Sequence, residues 1–106
     1  MEEHEIWKQI EDSHYSVSNF GRVRNDYDNY ILKGHIRKDG YLDVHLDTAL
    51  AVIRVHKLVA LAFVEIPEEL LDTDLTVDHD DDNKLNNHYT NLVWMTRADN
   101  IKKGFK

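Results

Sequence analysis

Cysteine is absent from this 106-residue chain, which removes disulfides, thiolate zinc sites and a cysteine nucleophile from its chemistry. Long apolar runs are absent as well. None approaches the roughly 20 residues needed to span a bilayer, and the opening MEEHEIWKQIEDS is acidic where a secretory leader would be basic. A soluble, unprocessed, cytoplasmic protein with no membrane partner is therefore expected. Positive charge is also short, since 13 Lys and Arg against 20 Asp and Glu give a formal charge of −7. Such a balance disfavours indiscriminate binding to polyanions, which takes clustered cations. The deficit is uneven along the chain: residues 1–19 sum to −4, 20–60 to +2, 61–83 to −9 and 84–106 to +4. Two zones can still face phosphates. No internal repeat or low-complexity segment interrupts the chain, and 42% apolar residues at this length suit one domain with a modest core.

Residues 6–24, IWKQIEDSHYSVSNFGRVR, mix aromatic and β-branched residues around a turn-like SNFG, predicting short strands. Trp7, Tyr15, Val17 and Val23 are expected to build their core, with Arg22 and Arg24 on the face opposite Val23. A polar loop follows over residues 25–30. Lys38-Asp39-Gly40 signals a turn, and Leu42, Val44 and Leu46 alternate with Tyr41, Asp43 and His45 as in a half-buried strand. After the DTAL connection, AVIRV reads as the return strand. From Arg54 or His56 the period changes, and Leu58, Val59, Leu61, Ala62 and Phe63 predict a buried helix that stops before Pro67. Further on, a strand over 75–79, a polar loop over 80–91, a strand over 92–96 and a helix over 97–105 are expected. Thr96 is a suitable N-cap for that helix, with Asp99 at the capping-box position. The fold class is thus α+β: a small N-terminal antiparallel sheet with one helix, then a hairpin and helix. One domain, 1–106, contains segments 5–24, 30–66 and 75–106.

The stretch TVDHDDDNKLNNHYTNLVWMTRADN holds an Asp78-His79 pair, Asn91 twelve residues after the histidine and Asn100 nine beyond that, with Trp94 between them. This order resembles the active-site signature of HNH nucleases, in the variant whose last letter is asparagine. The upstream pattern W-K-x-I, Y-x-V-S-N, G-R-V-R resembles the modular element placed before HNH domains in phage and intron-encoded homing endonucleases. KDGY and VHKLVALAF fit the same family. The resemblance implies a ββα-metal motif that hydrolyses DNA phosphodiester bonds with one divalent ion, Mg2+ or Mn2+. In it Asp78 and Asn100 hold the metal, His79 takes a proton from the attacking water, and Asn91 braces the long loop and so orients the histidine. The chemistry is consistent with these residue types. One hard cation can stabilise developing charge and aid the leaving oxygen, magnesium accepts few protein oxygens and keeps its waters, and an amide both donates and accepts. Adjacent strand residues point to opposite faces, so Asp78 and His79 can address one substrate only if the strand ends or twists there. Phosphate contacts are expected from Arg22, Arg24, Arg37, Lys38 and Arg54, and from Lys102 and Lys103 on the last helix; such contacts position DNA without reading its sequence.

Asp81-Asp82 stands where the family usually has Asp-Gly, so an aspartate is expected at a position suited to positive φ, which it tolerates better than most residues. Asp78, Asp80, Asp81 and Asp82 together repel a phosphate unless a cation is bound. The spacing of Asp78, Asp80 and Asp82 also invites a calcium-loop reading, but Asn83 replaces the glycine and Tyr89 the bidentate glutamate. Asn86 and Asn87 read as turn formers, Trp94 as core, and His56 as a structural histidine against the hairpin. A second function stays open: a catalytically silent binding protein on an HNH scaffold, such as a phage inhibitor that sequesters a host defence protein or a nucleotide signal. For the nuclease, low intrinsic specificity is expected, with a protein partner supplying more. A monomer or homodimer in the cytoplasm of a bacterial host follows if the gene is phage-borne.

Overall fold

A computed structural model describes residues 3–47 and 51–104, with side chains described as far as Lys102. Four short strands, β1 (Trp7–Gln9), β2 (Tyr15–Ser18), β3 (Val23–Asn25) and β4 (Tyr30–Ile31), form an antiparallel sheet in sequential order. Val17 and Val23 face each other across β2 and β3 and are both fully buried. Tyr15 joins them inside. Trp7 does not: it is half-buried, with the Arg24 guanidinium 4.3 Å and that of Arg22 5.4 Å from its ring. Strand alternation places both arginines opposite Val23, so Trp7 packs on the cationic outer face, where cation–π contact replaces core burial.

A second antiparallel sheet contains β5 (His35–Ile36), β6 (Leu42–His45) and β7 (Val52–Arg54). Val44 and Leu46 point inward as their spacing predicts. The return strand is shorter than AVIRV, because Val55 already begins α1 (Val55–Phe63). Residues 48–50 of the connection lie outside the described residues. Helix α1 buries Val55, Leu58, Val59 and Ala60, whereas Leu61 turns outward. It ends when Val64 goes extended and its N–H closes on the Ala60 carbonyl, three residues before Pro67. After a 3-10 turn at Glu68–Leu70 come β8 (Leu75–His79), β9 (Leu92–Thr96) and α2 (Arg97–Gly104).

Side chains from both sheets, α1 and the β8–β9 hairpin merge in one buried cluster that includes Tyr15, Val17, Val44, Val59, Val77 and Trp94. Each large apolar side chain so buried stabilises the fold by about 1.5–3 kcal/mol. Trp94 adds a 2.9 Å hydrogen bond from its indole N–H to the Val64 carbonyl, tying the hairpin to the end of α1. Among the described residues no helix is long and apolar enough to cross a membrane.

Candidate active site

Strand β8 pairs with β9 from Leu75↔Thr96 to His79↔Leu92, and Asp80 N–H then closes on the Asn91 carbonyl at 2.8 Å. His79 is therefore the last residue of the ladder. Leu75, Val77 and His79 share the inward face, while Thr76 and Asp78 lie on the other. The His79 side chain is inward enough that only 3% of the residue is exposed. Its ring lies 5.0 Å from that of His56 and 5.8 Å from that of Tyr41, and Nε2 is 2.7 Å from Oδ1 of Asn87. An amide oxygen only accepts, so Nε2 is the donor in this bond.

The loop between the strands is organised by its own polar side chains. Asn91 accepts from Asp81 N–H at 3.1 Å and donates to the Asp81 carboxylate and the Asn86 carbonyl, both at 2.9 Å. Asp81 also accepts from Asn83 N–H and the Asn86 amide. These bonds, that from Asn86 foremost, hold the Asp81 carboxyl below its ordinary pKa. Asp82 adopts φ +62, the left-handed conformation for which glycine is the usual choice. Direct contact with the histidine is made by Asn87, which the sequence marks only as a turn former. Asn91 reaches it indirectly, through the loop that carries Asn87.

Helix α2 begins where Thr96 Oγ1 accepts from Asp99 N–H at 3.1 Å, an N-cap bond. One turn in, Asn100 donates its amide N–H to Thr76 Oγ1 at 3.2 Å. Thr76 and Asp78 share a face of β8, so the helix sets an amide beside the strand face that carries the Asp78 carboxylate. The bond to Thr76 uses the amide nitrogen and leaves the oxygen as the donor atom suited to a cation. Among the described residues no three His, Asp or Glu side chains converge as a metal cluster. The candidate set implied by the resemblance, the Asp78 carboxylate and the Asn100 amide oxygen, suits a hard cation that keeps most of its water.

A cleft of about 420 Å3 runs between the second sheet and the hairpin, lined by Tyr41, Arg54, His56, Lys57, Thr76 and Arg97 among others. Burial and the adjacent His79, Arg54 and Lys57 depress the pKa of His56 to about 4. Of the cations singled out by sequence whose side chains are described, only Arg54 lines this cleft; it pairs with Asp39 at 2.6 Å and lies 4.4 Å from the Tyr41 ring. Arg22, paired with Glu5, and Arg24, 3.2 Å from Asp26, sit by Trp7 on the first sheet. Arg37 is committed to Asp43, a buried carboxylate that would be costly to leave unpaired. Lys38 and Lys102 are exposed, and the side chain of Lys103 lies outside those described. Lys57 and Arg97, which the sequence pattern does not single out, also line the cleft. Arg97 had a readable signal, because it precedes Asn100 by three residues and so shares its face of α2.

A strand pair with a polar loop, followed by a helix that returns an amide to the first strand, defines a ββα nuclease-type motif. Comparison with known proteins agrees: residues 5–47 match the NUMOD4 motif and residues 54–102 the HNH endonuclease family. The chain is 42% identical over 100 residues to the DNA endonuclease I-HmuI of Bacillus phage SP01, covering 91% of this chain and 55% of that protein. It is 36% identical over 87 residues to the H-N-H endonuclease F-TflII of Escherichia phage T5, covering 80% and 44% respectively. A solved structure described as DNA binding and cleavage by the HNH homing endonuclease I-HmuI superposes with a TM-score of 0.79 at 38% identity, over 94% of this chain and 57% of that one. The chain belongs to the HNH endonuclease family, with a NUMOD4 motif ahead of the HNH domain. It spans about half the length of these two phage relatives.

Proposed function

We propose that this chain is the DNA-cleaving portion of a phage-type homing endonuclease, hydrolysing phosphodiester bonds with a divalent metal ion. The observation that carries the reading is the setting of His79. Its imidazole ends β8 with Nε2 donating to Asn87, so that in the neutral ring the basic lone pair is on Nδ1. In this mechanism Nδ1 takes a proton from water as the water oxygen attacks phosphorus and the far oxygen departs. Asp78 and Asn100 would hold the cation, Mg2+ or Mn2+, which when bound neutralises charge on the phosphate and leaving oxygen. Asn91 keeps the loop in shape. Arg54, Lys57 and Arg97 in the cleft supply phosphate contacts, and the likeness to I-HmuI, whose solved structure concerns DNA binding and cleavage, supports DNA as the substrate.

Plasmid nicking in Mg2+ or Mn2+ tests the proposal. Supercoiled DNA should relax with the wild-type chain, and both His79→Ala and Asn100→Ala should reduce the rate at least 100-fold while leaving the circular dichroism spectrum intact. No cleavage in either metal, or undiminished cleavage by His79→Ala, would refute it.

A further inference from the structure

We infer that the β2–β3 turn, residues 18–22, is a working part of the catalytic site: it positions Asn87 and, through Asn87, the His79 imidazole. The inference rests on the nuclease reading for its consequence but not for its geometry. Three consecutive residues of the turn meet three consecutive residues of the catalytic loop. Gly21 lies against Asn87 so closely that an added Cβ would stand 2.8 Å from the Asn87 Cβ and 2.9 Å from its carbonyl oxygen. Phe20 stacks on His88 at 5.4 Å. Asn19 accepts the Tyr89 N–H at 2.9 Å.

The turn is itself rigidly held. Asn19 is buried; its side-chain oxygen accepts from Ile6 N–H at 2.8 Å and its amide donates to the His4 carbonyl at 3.1 Å. Ser18, also buried, accepts from the N–H groups of Phe20 and Arg22 through its hydroxyl. Gly21 completes the turn at φ +92, where a side chain would be strained whatever the space. Asn87 is thus confined between a fixed turn and the histidine, and its 2.7 Å bond to Nε2 is set from the N-terminal sheet. A segment that served only to grip DNA would have no need to set the Asn19 carbonyl, Phe20 and Gly21 against the loop. Asn87 and Gly21 are positioning residues, acting on the chemistry through His79.

A double-mutant cycle on the full chain tests this. Gly21→Ala and Asn87→Ala should each lower kcat for duplex cleavage about 10- to 100-fold, as for a misplaced catalytic group, while KM changes less than about threefold. The combined variant should be no slower than Asn87→Ala alone, because both act through one hydrogen bond. Nitrogen-15 spectra of the His79 ring give a readout that needs no cleavage: the wild type should carry its proton on Nε2, and both variants should populate the Nδ1–H tautomer. If Gly21→Ala fails to fold, Phe20→Ala takes its place and should shift the tautomer the same way. A tautomer shift in the variants, alongside a wild-type chain that cleaves nothing, would leave the positioning intact and reject the nuclease reading. Unchanged spectra in the folded variants, or additive losses in kcat, would overturn the inference.

Discussion

His56 makes the stability of this fold depend on pH between the ring's ordinary pKa and about 4. An unperturbed histidine has a pKa near 6.5, and burial beside His79, Arg54 and Lys57 lowers that of His56 to about 4. Above pH 6.5 the ring is neutral folded and unfolded, so it contributes no pH dependence. As pH falls below 6.5 the unfolded chain takes up a proton that the folded chain refuses, and stability is lost until the folded form protonates near pH 4. Integrated to pH 5 this costs about 2 kcal/mol, and the full span about 3 kcal/mol. Against a total stability of about 5–15 kcal/mol, the loss at pH 5 corresponds to a fall in Tm of roughly 10 °C. Urea denaturation at pH 7.5, 6 and 5 measures it while Glu5, Asp39 and Asp81, whose pKa values are lowered by hydrogen bonds from Arg22, Arg54 and Asn86 respectively, remain ionised. His56→Phe keeps an aromatic ring between Tyr41 and His79 but cannot protonate, so its stability should stay nearly level over that range. A wild type that is equally stable at pH 7.5 and 5, or a His56→Phe variant that weakens as steeply, would refute the reasoning.

Arg97→Ala should weaken binding to any duplex severalfold and reduce the slope of log affinity against log salt by about one, the signature of one lost phosphate contact; fluorescence anisotropy at several salt concentrations reads both, and an unchanged slope would remove Arg97 from the interface. Asp82→Gly should change stability by less than about 1 kcal/mol, since glycine accepts the left-handed conformation. It should also tighten DNA binding by removing a carboxylate beside the cleaving site, which the same titrations would show.

The parts of this molecule legible in the sequence are those specified by local pattern. Strands β8 and β9 occupy the expected residues because a turn-rich loop separates two short apolar runs, and the Thr96 cap marks where β9 gives way to α2. Trp7 sits outside the core because its preference for a sheet says nothing about which face it takes; Arg24, on the same face, decides that. Strands β4 and β5, of two residues each, are too short to carry a periodicity. Asn87 was hidden for a different reason. In KLNN it is indistinguishable from a turn former, and its role appears only when the fold brings residue 21 against it and residue 79 within hydrogen-bonding reach. Lys57 likewise becomes part of a cleft only when α1 and the hairpin meet.

The acidic run after His79 reads differently once its side chains are traced. Counted as formal charge, Asp80, Asp81 and Asp82 oppose any approaching phosphate. Asp81, however, is bound by two asparagine amides and two backbone N–H-linked contacts that fix the loop: Asn86 and Asn91 donate to its carboxylate, Asn83 N–H does the same, and its own N–H meets Asn91 Oδ1. Those donors spread its charge over the loop, and the lowered pKa records that they favour the ionised form. Replacing Asp81 would thus loosen the segment that carries Asn87, whereas replacing Asp82 would remove charge and relieve a strained φ. Two neighbouring aspartates of one run therefore have opposite expected effects on activity, and net charge alone would assign them the same one.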